Sequence, residues 1–100
     1  ARLFHHGQSP AAAIDAGRWA LHGPVTGFDT WTGDEPPRID VEGHAPPTWL
    51  DGLTALGHRA VPAPAWDSGF GHAHAIVVEP DGMLAAAADP RAVVGSAAGD

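Results

Sequence analysis

The stretch AHAIVVEPDGMLAAAA, residues 73–88, has the pattern of two β-strands joined by a tight turn. Its first arm, Ala73–Glu79, is rich in β-branched residues, which favour strands. The PDG sequence that follows contains the residue types that tight turns prefer, and residues 83–88 return as the second arm. We therefore expect an antiparallel β-hairpin here.

A short helix is predicted near the start of the chain. Ser9 can accept a hydrogen bond at the N-cap, and Pro10 suits the first helical position. Strong helix formers follow until Gly17, and Ile14 is the expected buried contact. The residues before Ser9 resemble the tail of another helix that ends at Gly7, so we expect the chain to begin within an element.

A second helix is predicted in the middle of the chain. It would begin at Pro46 or Pro47, because proline is well tolerated in the first helical turn, and it would end at Gly57. Its apolar residues at helical spacing are Leu50, Leu53 and Leu56.

Three further strands are predicted at residues 18–22, 38–42 and 59–62. In the second of them Ile39 and Val41 share one face, and three charged residues occupy the other. This alternation is typical of a half-buried strand.

Residues 23–37 are rich in proline, glycine and acidic residues, a composition that favours an exposed excursion between two strands. Phe28 and Trp31 would pack this segment against the rest of the chain, and the side chains of Asp34 and Glu35 would be solvated.

The chain as a whole is predicted to be a single α+β segment of 100 residues, with two short helices and about five mostly antiparallel strands.

The composition excludes several classes of function. Twelve acidic residues against five arginines give a formal charge of −7, which repels nucleic acid. The absence of cysteine excludes disulfides and thiol nucleophiles but leaves the compartment open. No apolar run approaches the ~20 residues of a membrane helix, so no membrane segment is expected.

Three segments, taken in order, resemble the gamma-glutamyltransferase family of autoprocessing N-terminal nucleophile hydrolases. They are GQSPAAAIDAGRW (residues 7–19), LTALGHRAV (residues 53–61), and HAIVVEPDG with ADPR (residues 74–82 and 88–91). The likeness lies in their combination and in the place of Asp-Pro-Arg, and it spans nearly the whole chain. Gly17 stands where the family usually has proline.

The resemblance implies that this chain is the C-terminal part of a small subunit, a piece of an αββα sandwich. Its partners would be the remainder of the small subunit and the large subunit of the same precursor. In that family a threonine at the new N-terminus of the small subunit attacks the γ-glutamyl amide, with its own amine as the base. Ala1 lacks that hydroxyl, and the family's substrate-binding serines and paired glycines lie upstream of the matched region. We therefore assign no catalytic or substrate-binding residue and no cofactor, and we expect the isolated chain to be inactive.

The family's motif near the end of the chain consists of Asp89, Pro90 and Arg91, and the first matched segment ends in Arg18 and Trp19. An arginine could bind a substrate carboxylate with two hydrogen bonds. The interpretation we favour is structural. Asp89 would cap the end of the hairpin. Arg91 would fix the tail in place through an ion pair with a neighbouring strand. Arg18 would fix the end of an element in place.

Seven histidines raise the question of a metal site. His72 and His74 are the weak candidates, because residues two apart on a strand face the same side. Zinc needs three or four ligands, and no other histidine has a spacing that predicts convergence on this pair. Local hydrogen bonding is the expectation for these side chains.

Two alternatives remain beside a gamma-glutamyltransferase-like enzyme. A related acylase could act on another amide with the same architecture, and a non-catalytic α+β interaction module is the rival from a different class. A piece of a larger sheet should expose strand edges and therefore self-associate, whereas an independent module should not.

Overall fold

A computed structural model describes residues 1–22 and 37–96. The chain forms two compact units, one made of Ala1–Ala16 with Gly71–Asp100 and the other of Gly17–Phe70. The α+β class is confirmed, with two helices and five mostly antiparallel strands in two small sheets. The predicted excursion, including Phe28, Trp31, Asp34 and Glu35, lies outside the described residues but for Pro37.

The helices and strands follow the predicted order. They are α1 (Pro10–Asp15), β1 (Trp19–His22), β2 (Arg38–Glu42), α2 (Pro47–Ala55), β3 (Arg59–Ala63), β4 (His74–Val78) and β5 (Leu84–Ala88). Neither of the described helices is long and apolar enough to cross a membrane.

The first unit contains the hairpin and α1. Strands β4 and β5 pair antiparallel, and the turn closes through a 2.8 Å hydrogen bond from the Glu79 N–H to the Met83 carbonyl. Gly82 has a φ of 85°, which a glycine adopts without strain, so the predicted hairpin is confirmed. Helix α1 contacts both strands, and Ile14 and Ala87 are buried, as expected for Ile14.

The start of α1 agrees with the capping chemistry of the sequence. The Ser9 hydroxyl accepts a hydrogen bond from the Ala12 N–H at 3.2 Å, and Pro10 occupies the first helical position. The predicted helix tail before it is wrong, because residues 2–6 form turns only. Gly7 nevertheless has the positive φ, 61°, that was expected of a terminating residue.

The second unit is a three-stranded sheet in the order β1-β2-β3 with α2 packed against it. Strand β2 pairs antiparallel with β1 and parallel with β3, and α2 supplies the crossover that a parallel pair requires. Ile39, Val41 and Ala45 form the buried core. The partly buried residues packed against it are Trp49, Leu50 and Leu53.

Two expectations for this unit are corrected. Leu56 does not join the apolar stripe of the second helix, since α2 ends at Ala55 and the Leu56 side chain is 77% exposed. Glu42 was placed on a charged outer face of β2, yet it is 1% exposed. Its carboxylate can be buried because it accepts the Arg18 N–H at 2.8 Å.

Gly17 is required by a close approach within the second unit. A Cβ atom added at Gly17 would lie 2.6 Å from the Ala45 Cβ and 2.7 Å from the Ala45 Cα. Such distances are shorter than van der Waals contact, so no side chain fits here unless the backbone moves. Gly17 therefore does more than end α1, which was its predicted role.

Candidate functional site

Asp89 closes the open end of the hairpin. It follows β5, and its Oδ2 accepts the N–H of Ala73, which precedes β4, at 2.8 Å. Its Oδ1 accepts the backbone N–H of Arg91 and the Arg91 Nη1, each at 3.0 Å. The carboxylate thus joins both strands and the tail through charge-assisted hydrogen bonds.

Arg91 connects the tail to α1. Its Nη1 donates to the Ile14 carbonyl at 3.0 Å and its Nη2 to the Ala16 carbonyl at 3.1 Å. These oxygens lie at the C-terminal end of α1, where carbonyls lack helical partners and a positive charge is favourable. The expected ion pair with a neighbouring strand is replaced by one with Asp89 and by these helix carbonyls.

The side chains of Asp89 and Arg91 are both 0% exposed. A substrate carboxylate could reach the guanidinium only by displacing Asp89 and the helix carbonyls. Pro90, between them, is exposed. The arrangement holds the first unit together, and both charged side chains are covered by the surrounding protein.

Arg18 and Trp19 lie at the start of β1 in the second unit. Arg18 donates from Nη1 to the Phe70 carbonyl at 3.2 Å, so it anchors the segment that follows β3. Trp19 is 57% exposed. It lines a pocket of about 300 Å³ with Thr48, Trp49, Gly52 and Leu53.

The histidine pair is exposed, and His74 begins β4. Within residues 1–22 and 37–96 there is no group of three or more histidine, aspartate or glutamate side chains that could hold a metal ion. Ser68 starts a short 3-10 turn, Ser68–Phe70, beside Asp67, whose Oδ1 accepts the Gly69 N–H at 2.7 Å. That hydrogen bond stabilises the turn.

One cluster was missed by the sequence reasoning. The buried carboxylate of Glu42 lies 3.9 Å from the Nε2 of His44, and the His44 ring stacks on Trp66 with centroids 4.2 Å apart. The sequence signal is slight, an acid and a histidine on either side of Gly43. Only the fold brings Trp66, 22 positions after His44, against the imidazole.

Comparison with known proteins does not assign a family or a function to this chain. A scan against protein-family models finds no family that matches the chain, and a search of curated proteins finds no relative of it.

Proposed function

We propose that this chain is the C-terminal part of the small subunit of a gamma-glutamyltransferase-like enzyme, which transfers or hydrolyses γ-glutamyl groups of glutathione-type amides. In this proposal its strands and helices support the catalytic core, and the threonine nucleophile lies on another part of the protein. The proposal rests on the three resembling segments and on one structural observation, the two apolar faces of the β4–β5 hairpin.

The inner face of the hairpin is covered by α1. Ala75 pairs with Ala87 and Val77 with Ala85, and these four side chains are buried or half-buried. Helix α1 contacts both strands. This face therefore has its partner within the unit.

The outer face is also apolar but exposed. Ile76 and Val78 are each 68% exposed, and Leu84, which pairs with Val78, is 60% exposed. A sheet with one solvated face normally alternates apolar and polar residues, whereas one buried on both faces is apolar throughout. Apart from His74 at the start of β4, the hairpin has the second pattern, which is expected of a sheet layered between helices and another sheet.

The buried motif supports the same interpretation. The family's Asp-Pro-Arg segment acts in this chain as an internal brace between the hairpin and α1, through Asp89 and Arg91. A supporting role of this kind requires no contact with substrate.

The test is hydrolysis of a chromogenic γ-glutamyl anilide by the full-length protein encoded by the same gene, run beside the 100-residue chain. We expect turnover by the full-length protein after self-cleavage, no turnover by the chain, and a free N-terminal threonine detected by mass spectrometry. The matching α-glutamyl anilide is the control for the γ-linkage.

Each other outcome has a defined meaning. Self-cleavage with turnover of a different amide would replace the γ-glutamyl assignment by the acylase alternative. A full-length protein that neither cleaves itself nor turns over any amide would contradict the enzyme proposal. Turnover by the isolated chain would contradict the location of the nucleophile.

A further inference from the structure

The sheet of the second unit has one face that points away from α2. Ile39 and Val41 of β2 belong to the core on which α2 packs. Because successive side chains of a strand point to opposite faces, Arg38 lies on the other face. In the register of the sheet Arg38 pairs with His22 of β1 on one side and with Arg59 of β3 on the other. We call His22, Arg38 and Arg59 the basic row, which crosses the sheet where β2 and β3 begin.

Asp40 fixes the orientation of Arg38 within this row. The Arg38 Nη2 donates to the Asp40 Oδ2 at 2.9 Å, and its Nε lies 2.6 Å from Oδ1. The Nε2 of His22 lies 3.3 Å from the same Oδ2. The Asp40 side chain is 14% exposed and that of Arg38 is 43% exposed. The guanidinium is thus held along one edge by the carboxylate, while its Nη1 has no hydrogen-bond partner among residues 1–22 and 37–96.

Arg59 lies beside Arg38 without a carboxylate of its own. It is exposed, and within the part of the chain that the structure describes its side chain makes no hydrogen bond or ion pair. Neighbouring strands are about 4.8 Å apart, and like charges directly opposite each other destabilise a sheet. The chain has five arginines and no lysine against twelve acidic residues. Two adjacent arginines in so acidic a chain are therefore a local arrangement that an anion between them would stabilise.

We propose that the basic row binds a phosphate-type oxyanion between the guanidinium groups of Arg38 and Arg59. The planar guanidinium donates two parallel hydrogen bonds to phosphate oxygens, and Asp40 holds that of Arg38 ready for such a contact. Two positive charges favour a dianion over a singly charged carboxylate. The Asp40 carboxylate offsets part of this attraction, so we expect a dissociation constant on the order of 1 mM.

The charge of the whole chain limits the size of the ligand. A formal charge of −7 repels an extended polyanion such as nucleic acid, whereas a small ion contacts the basic row alone. Inorganic phosphate and the terminal group of a small phosphomonoester present the same oxygens to the two arginines. The site therefore has one chemistry and two sources of ligand.

The test is isothermal titration calorimetry of inorganic phosphate into the full-length protein encoded by the same gene, in a phosphate-free buffer. Glycerol phosphate and acetate are titrated in parallel at equal ionic strength. We expect saturable phosphate binding that is about tenfold weaker in Arg59→Gln and in Arg38→Gln, since each removes charged hydrogen bonds to the ligand. Arg59→Lys keeps the charge without the planar fork and should weaken binding by about threefold.

Arg2→Gln, in the first unit, is the matched control because it removes the same charge outside the basic row, and it should bind as the wild type does. Arg59→Gln leaves the contacts of Asp40 intact, so circular dichroism should show an unchanged fold. Tighter binding of glycerol phosphate than of phosphate would support the site and identify a phosphomonoester as its ligand. Tighter binding of phosphate would support it with the free ion.

Three results would overturn the proposal. They are no saturable phosphate binding below about 10 mM, acetate binding as tight as phosphate binding, and an affinity unchanged in Arg59→Gln. The measurement requires no enzyme activity, so its outcome is independent of the proposed function.

Discussion

The Arg91 guanidinium lies 3.0 Å from the Asp89 carboxylate, and solvent reaches neither side chain. The same guanidinium binds the Ile14 carbonyl, 77 positions away in the sequence. One ion pair therefore joins the two ends of the hairpin to the end of α1. This brace orders the first unit, whose apolar core is small.

We expect Arg91→Ala to destabilise the protein by about 3–5 kcal/mol, because it leaves the Asp89 carboxylate buried without its cation. The measurement is urea unfolding followed by circular dichroism. Arg59→Ala, at an exposed arginine of β3, is the control and should change the free energy of unfolding by less than about 0.5 kcal/mol. If the two substitutions changed the free energy of unfolding equally, the Asp89–Arg91 ion pair would not be what stabilises the first unit.

Ser9→Ala should destabilise α1 by about 1 kcal/mol, because the hydroxyl accepts the Ala12 N–H at the helix start. Ser9→Asp keeps an acceptor at the N-cap and should retain most of the stability. Amide exchange of residues 11–15 measures the effect locally. An unchanged exchange rate in Ser9→Ala would contradict the role of the cap.

Two glycine substitutions should have opposite signs. Gly17→Ala places a Cβ within 2.6 Å of the Ala45 Cβ and should cost about 1–3 kcal/mol, as overpacking does. Gly52→Ala, inside α2 with no atom within 4 Å of the added Cβ, should stabilise by up to about 1 kcal/mol. Thermal unfolding of both variants checks this, and a stabilised Gly17→Ala would refute the close approach.

Ile76→Glu should reduce self-association of the 100-residue chain, because it places a charge in the exposed apolar face of the hairpin. Analytical ultracentrifugation over a range of concentrations measures the change. Leu56→Glu, at a 77% exposed residue outside any strand, is the matched control and should have little effect. Equal effects from both variants would mean that association does not use the hairpin face.

Much of the local structure could be predicted from short stretches of sequence. The Ser9–Pro10 start of α1 and the Pro-Asp-Gly turn of the hairpin depend on neighbouring residues, and both were predicted correctly. The end of α2 was less predictable. Leu56 follows the leucine spacing of the helix, but it lies past the last helical residue and is exposed.

The sequence by itself determined the α+β class and the order of the elements, because capping, turn chemistry and apolar periodicity act over a few residues. Only the tertiary structure decided that Glu42 is buried, that Arg91 binds the end of α1, and that Trp66 stacks on His44. A buried charge is stable only where its hydrogen-bonding partners converge. For Arg91 some of those partners lie at the opposite end of the chain, and no local pattern indicates that they meet.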